Sequence, residues 1–345
     1  MPSRDPEHDR EGELGPHPQV RPFLPHRREH GRKRHCGHNE AAHWSLLDDP
    51  VQSPRPRFDE LLILSLCSAS MTHEQVLEAW RRGGASRNRV LVELSEEGAL
   101  DWAGRLVLGP TEARRLAASL LGRSPHAVDA LGLLRDLVTD EDRYTREAAA
   151  QAAGTLLMQH FDEAYPVLGT WRTDPSPLVR RAVVLISGVA ADAMRPDRAR
   201  PLLRLLDPLL ADRVREVRNA LGGVLATTLF AAYPDDVFEE LTYWSTSYDE
   251  QVLWHVATAL GRAPAGIARR ALIVLRRVSL HDRRYVRGAV TRALAHLSAS
   301  CPDVVGAELR RWLEDEDRVV LAREALGRIG EDVTTPGLAP VRLSR

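Results

Sequence analysis

From residue 140 onward, an aspartate followed six positions later by an arginine that opens an Ala/Leu-rich run recurs at a nearly constant spacing. It stands as Asp140/Arg146, Asp174/Arg180 and Asp212/Arg218, and the corresponding positions continue as Ser247/Leu253, His281/Arg287 and Asp315/Leu321. Successive first members are offset by 34, 38, 35, 34 and 34 residues. A period of this length marks stacked supersecondary units, because one unit cannot cover its own apolar faces and must lean on its neighbours.

Each unit has the same grammar. An apolar run such as Leu202, Leu203, Leu205 and Leu206 is followed by a short polar turn holding the aspartate, and then by a second run such as Arg218-Asn219-Ala220-Leu221. That is a helix-turn-helix hairpin. The carboxylate suits the turn because it can cap the first amides of the second helix, and the arginine can reach a carboxylate in its own or a neighbouring turn. Three positions before each aspartate-type residue the chain reads Leu137, Trp171, Leu209, Trp244, Val278 and Trp312. A large apolar side chain recurring at the end of the first helix is what a packing position between units requires. Trp171, Trp244 and Trp312 are therefore read as core residues.

These residues resemble the HEAT-repeat proteins, in which paired helices stack and an Asp of the turn and an Arg of the second helix form a ladder along the solenoid. The resemblance covers about 200 of the 345 residues. It implies a binding scaffold that presents an extended surface to a protein or a nucleic acid and performs no chemistry. Three units carry the full pair, so the ladder is expected to weaken toward the C-terminus, with Asp282 substituting one residue late in the fifth unit. A shorter stretch, Trp171-Arg172-Thr173-Asp174-Pro175-Ser176-Pro177-Leu178-Val179-Arg180-Arg181-Ala182, is similar to a segment of the HEAT-like DNA glycosylases that remove alkylated purines. That resemblance implies an aromatic cleft and a carboxylate acting on a damaged nucleotide. Here Gly222-Gly223 stands where a second tryptophan would be expected, and no Trp-Asp-x-x-Asp element lies upstream.

The rest of the chain reads differently. Residues 1–57 are rich in Pro, His, Arg and acids without helical or strand periodicity, and are expected to be disordered. From Phe58 the leucines of 61–66, then Val76, Leu77 and Trp80 up to Gly83-Gly84, predict two short helices; residues 87–122 predict two more, broken near Gly109-Pro110. Residues 58–125 are thus a helical cap or degenerate repeats, 126–330 the repeat region, and 331–345 a flexible end. The expected fold is all-α: a right-handed solenoid of about six hairpins behind an N-terminal helical cap and a disordered tail.

Formal net charge is −1, so no global field draws the chain to nucleic acid or membrane. Charge is nevertheless uneven. From Phe230 to Gly261 there are six acids and no Arg or Lys; from Arg262 to Arg292 there are nine arginines against Asp282 alone. Arg269, Arg270, Arg276, Arg277, Arg283, Arg284 and Arg287 are the candidate partner-binding residues, suited to phosphates or an acidic protein. Pairing of the basic unit with the acidic one beside it is the competing reading. His26, His30, His35, Cys36, His38 and His43 are ligand types that suit zinc, but their spacing matches no defined site and they are read as compositional bias. His255 and His296 fall within Ala/Leu helices and read as packed side chains. Cys36, Cys67 and Cys301 form no CxxC pair, and no apolar run is long enough to span a bilayer, which points to a cytoplasmic chain with free thiols. There is no glycine-rich phosphate loop, Gly-x-Ser-x-Gly elbow or His-Glu-x-x-His pair, so neither a catalytic residue nor a cofactor is expected. The function expected is a non-enzymatic scaffold for a macromolecular partner, most directly a protein; the alternative is a nucleic-acid-binding relative of the alkylation-repair glycosylases.

Overall fold

The structure, a computed structural model, describes residues 72–332, all within the compact unit that begins at Cys67. The expected tail, the leucine run of 61–66, the His/Cys cluster and residues 333–345 lie outside the described residues. Among the described residues every regular element is helical.

Helix α1 (His73–Arg82) opens with a capping box: the Thr72 hydroxyl accepts from the Gln75 amide while the Gln75 side chain accepts from the Thr72 amide. It ends where Gly83 and Gly84 adopt φ of 70° and 51°, a left-handed corner that only glycine takes cheaply, and α2 (Gly84–Leu106) sets off from there. Helix α3 (Thr111–Leu121) follows the Gly109-Pro110 break.

Six hairpins then follow one another. They are α4 (Ala127–Leu137) with α5 (Arg143–Gln159), α6 (Phe161–Trp171) with α7 (Pro177–Val189), and α8 (Ala199–Leu206) with α9 (Arg215–Val224). The last three are α10 (Pro234–Trp244) with α11 (Glu250–Leu260), α12 (Ala268–Val278) with α13 (Arg284–Ser300), and α14 (Pro302–Leu313) with α15 (Val319–Asp332). The 38-residue offset has a local cause. Helix α7 has 13 residues where α5 has 17, and a longer connection ending in the 3-10 turn Pro196–Arg198 more than replaces the difference. Helix α9 in turn runs on through a π-helical turn, Leu225–Leu229.

First helices form one row and second helices another. The second-helix row is the tighter: a Cβ on Gly154 would lie 2.5 Å from Val189, and one on Gly261 would lie 2.8 Å from the Ala293 backbone. Small residues let these helices approach, whereas successive first helices touch more sparsely. The stack therefore curves, with the second helices on its concave side. The position three before each turn residue is buried in every hairpin: Leu137, Trp171, Leu209, Trp244, Val278 and Trp312 are all at most 4% exposed. Burial of side chains of this size is the main term holding units together.

Candidate interaction surface

The turn between the two helices is the same in all six hairpins. The side chain at the repeat position accepts from the amide two positions on: Asp140 from Asp142 (2.8 Å), Asp174 from Ser176 (2.8 Å), Asp212 from Val214 (2.9 Å), Ser247 from Asp249 (3.1 Å), His281 from Arg283 (3.2 Å) and Asp315 from Asp317 (3.1 Å). The side chain thus closes the turn just ahead of the second helix rather than capping that helix's first amides, a local competition between side chain and backbone characteristic of short polar residues. It also corrects the reading of Asp282, since His281 Nδ1 itself takes the role.

The arginine ladder is narrower than the sequence pattern suggests. Arg180 donates through Nη1 to the carbonyls of Asp174 and Pro175 in its own turn, and through Nε to Asp212 of the next turn at 2.6 Å. Arg114 on α3 makes the same pair of contacts, to the Gly109 carbonyl and to Asp140 at 2.6 Å. Arg146 binds only its own turn carbonyls, because Asp174 is taken by Arg135 from α4. Sequence reasoning missed Arg114, whose turn lacks the aspartate, and Arg135, which lies on the wrong helix for the pattern.

From the fourth hairpin onward the ladder stops. Arg218 meets Ser247 where an aspartate would stand; its guanidinium instead lies 5.9 Å from the Trp254 ring centroid and 6.0 Å from that of Tyr285, two rings stacked at 5.7 Å. Beside them Tyr285 donates to Gln251 Oε1 and the Gln251 amide donates to His255 Nε2. His255 Nδ1, Arg218 Nε and Trp254 Nε1 are buried and find no hydrogen-bond partner among the described residues. Burial, reinforced by the Arg218 charge and opposed by Asp249, pushes the His255 pKa down to about 3.

Seven of the nine arginines divide between the two rows. Arg269, Arg270, Arg276 and Arg277 lie on α12, in the first-helix row, and so away from the concave side; Arg284, Arg287 and Arg292 lie on α13, in the second-helix row. Pairing with the acidic segment is partial. Arg270 bonds Asp235 at 3.1 Å while lying over the Phe238 ring, and Arg283 bonds Glu250 at 3.3 Å. Arg277 donates to the Ser245 hydroxyl at 3.2 Å. Arg262, Arg269, Arg276, Arg284 and Arg287 make no ion pair among the described residues. Between the two arginine pairs of α12 stands Ile273, 67% exposed, and just beyond them Leu280, 51% exposed.

Two clefts flank the turns of the fourth and fifth hairpins. One, of about 510 Å³, is lined by Ser245, Ser247, Tyr248, Leu253, Arg277 and Leu280 among others. The second, of about 640 Å³, lies across Tyr248 and carries Arg213, Asp249, Glu250, Asp282 and Arg283. Tyr248, 98% exposed, is the wall between them. No feature of the repeat pattern marks Tyr248, Ile273 or Leu280; their significance is exposure, which periodicity does not report. Among the described residues no group of His, Cys, Asp and Glu could hold a metal ion, and no helix is long and apolar enough to cross a membrane. Cys301 is a free thiol.

A family model for HEAT repeats matches residues 107–187, from the end of α2 into α7. No curated protein matches the chain. Among solved structures, the X-ray structure of the Escherichia coli protein YibA aligns over 81% of this chain and 99% of its own length, at 16% identity and a TM-score of 0.35. An engineered protein aligns over 66% of this chain and 100% of its own, at 18% identity and a TM-score of 0.29.

Proposed function

We propose, from the six stacked hairpins and the HEAT-repeat match over residues 107–187, that the chain is a non-enzymatic scaffold that binds a protein partner in the cytoplasm. The binding surface is the solvent face of α12 with the adjoining turns. One observation carries the reading: Arg269, Ile273, Arg276 and Leu280 stand exposed together, with no acid paired to either arginine among the described residues. An apolar side chain framed by guanidinium groups is the composition of an interface centre with a charged rim. Guanidinium groups also offer bidentate geometry to carboxylates.

The test is capture from a native lysate on the full chain, comparing wild type with a variant in which Arg269, Arg270, Arg276 and Arg277 are all changed to Glu. Proteins retained by wild type should be lost from the variant. Equal retention removes this face from the proposal.

The second reading, nucleic-acid binding with or without base excision, draws on Arg218 beside the stacked Trp254 and Tyr285 in the concave row. Aromatic rings and a cation are what single strands and extruded bases stack upon. Against it, acids are interleaved with the arginines at the cleft of about 640 Å³, where a phosphate backbone would meet Asp249, Glu250 and Asp282. Retardation of duplex or single-stranded DNA that weakens steeply with salt would favour this reading, and release of alkylated base would add the activity.

A further inference from the structure

Where the ladder is complete, at Arg114 and Arg180, the arginine fills the space between one turn and the next. Arg180 does so by binding the carbonyls of Asp174 and Pro175 and reaching across to Asp212. In the fourth hairpin the same position is Leu253 and the acceptor across the gap is His281. Leucine is too short to bridge and has no donor. The space stays open, and it is the cleft of about 510 Å³, floored by Leu253 and Val278.

We propose that this open ladder step is a docking cleft for an acidic linear segment of a protein partner, seated by one apolar anchor residue. The inference rests on the scaffold reading above and narrows it to a partner chemistry. Three features of the cleft converge on that occupant. Its floor and one wall, Leu253, Val278 and Leu280, are apolar and accept an aliphatic or aromatic side chain. Arg277 also lines the cleft, donating to the Ser245 hydroxyl, and among the described residues no acid is paired to it or to its exposed neighbour in sequence Arg276, so a carboxylate flanking the anchor meets a guanidinium group. The carbonyls of Ser247 and Tyr248, equivalent to those that Arg180 binds in its own turn, receive no arginine here and suit the amides of an extended chain. A basic occupant would meet Arg277 with like charge, and a nucleic acid, although its phosphates suit a guanidinium, has neither an aliphatic anchor for the apolar floor nor backbone amides for the carbonyls.

The experiment selects random dodecapeptides displayed on phage against the full chain, then measures the selected peptides by fluorescence anisotropy. Enriched sequences should be acidic with one or two apolar residues. The decisive variant rebuilds the ladder, Leu253→Arg with His281→Asp, which fills the cleft without removing any surface arginine. It should keep the helical circular dichroism and thermal midpoint of wild type while weakening the peptides by about tenfold or more. Arg276→Glu with Arg277→Glu should weaken them comparably, and raising the salt should weaken wild-type binding. Peptides without acidic bias, equal binding to the rebuilt chain, or self-association that the rebuild abolishes would each overturn the proposal. If acidic peptides bind the rebuilt chain but not the variant with all four α12 arginines reversed, the cleft fails while the scaffold reading stands. If nothing enriches and lysate capture is also unchanged, both fail.

Discussion

The first three hairpins and the last three share a turn but not an ion-pair ladder. In both halves the turn residue receives the amide two positions on, and in both the residue three earlier is buried between units. In the first half a guanidinium at the ladder position bridges from one turn to the next, at Arg114 and Arg180. From the third turn onward the crossings come from arginines of the turns themselves, Arg213 to Asp249, Arg283 to Glu250 and Arg318 to Ser279. The apolar register and the turn closure recur in both halves, and in the second the ladder position is free to take other side chains. Leu253 and Arg287 are what this chain has placed there.

The comparison breaks if the apolar register is weaker in one half. Trp171→Ala and Trp312→Ala should each destabilise by about 3–5 kcal/mol, because each deletes a fully packed indole and leaves a cavity. Trp312→Ala should sit at the upper end, since the indole N–H also donates to the buried Glu308 at 2.8 Å. Urea titration followed by circular dichroism measures both. A loss several-fold smaller for Trp312 would mean the C-terminal half is held by something other than its core.

The register was legible because it depends on residue size at a fixed period, and tryptophan, leucine and valine at positions 137 to 312 satisfy it visibly. The turn was legible in part. Aspartate announced it, but Ser247 and His281 supply the same acceptor with different chemistry, so a pattern built on identity reads them as departures. What could not be read was partner choice. Nothing local says that Asp174 belongs to Arg135 rather than Arg146, or that, among the described residues, only Arg270 and Arg283 of the nine arginines form ion pairs with the acidic segment, because these pairings depend on which row faces which. The cleft was still less visible. It is an absence created by Leu253, and an absence has no motif.

Asp212→Ala tests the ladder where it is strongest. The carboxylate is almost buried and its partner Arg180 is only 18% exposed, so removing it leaves a half-buried guanidinium without its acid and opens the turn at Val214. A loss of about 2–3 kcal/mol is expected, below that of a fully buried pair because Arg180 keeps its own turn carbonyls and some solvent. Thermal unfolding monitored at 222 nm is sufficient, and a loss under about 1 kcal/mol would show that the ladder contributes little even where it is complete.

The halves should also differ in their response to acid. His255 has a folded pKa of about 3 against roughly 6.5 when unfolded, so the unfolded chain takes up a proton that the folded chain refuses. Its contribution to stability is intact above pH 6.5 and falls as pH drops toward 3, by up to about 1.4 kcal/mol per pH unit. His255→Leu should flatten this part of the profile between pH 6.5 and 5, measured as the urea midpoint. A profile unchanged by the substitution would remove His255 as the cause.

The smallest expected effect sharpens the comparison most. Ser247→Ala removes the side chain that receives the Asp249 amide but deletes no charged partner, leaving both Asp249 and Arg213 of their 2.8 Å pair in the chain. The loss should be about 1 kcal/mol, that of one partly buried hydrogen bond at a turn. Asp212→Ala removes the same turn contact together with the Arg180 pair, so the difference between the two substitutions isolates the ladder from the turn. Ser247→Asp then runs the subtraction in reverse. It restores the acceptor that Arg218 lacks, close to the guanidinium that now lies near Trp254 and Tyr285, and should recover stability if that arginine can swing back. No gain would mean that the aromatic pair holds Arg218 as firmly as an aspartate would.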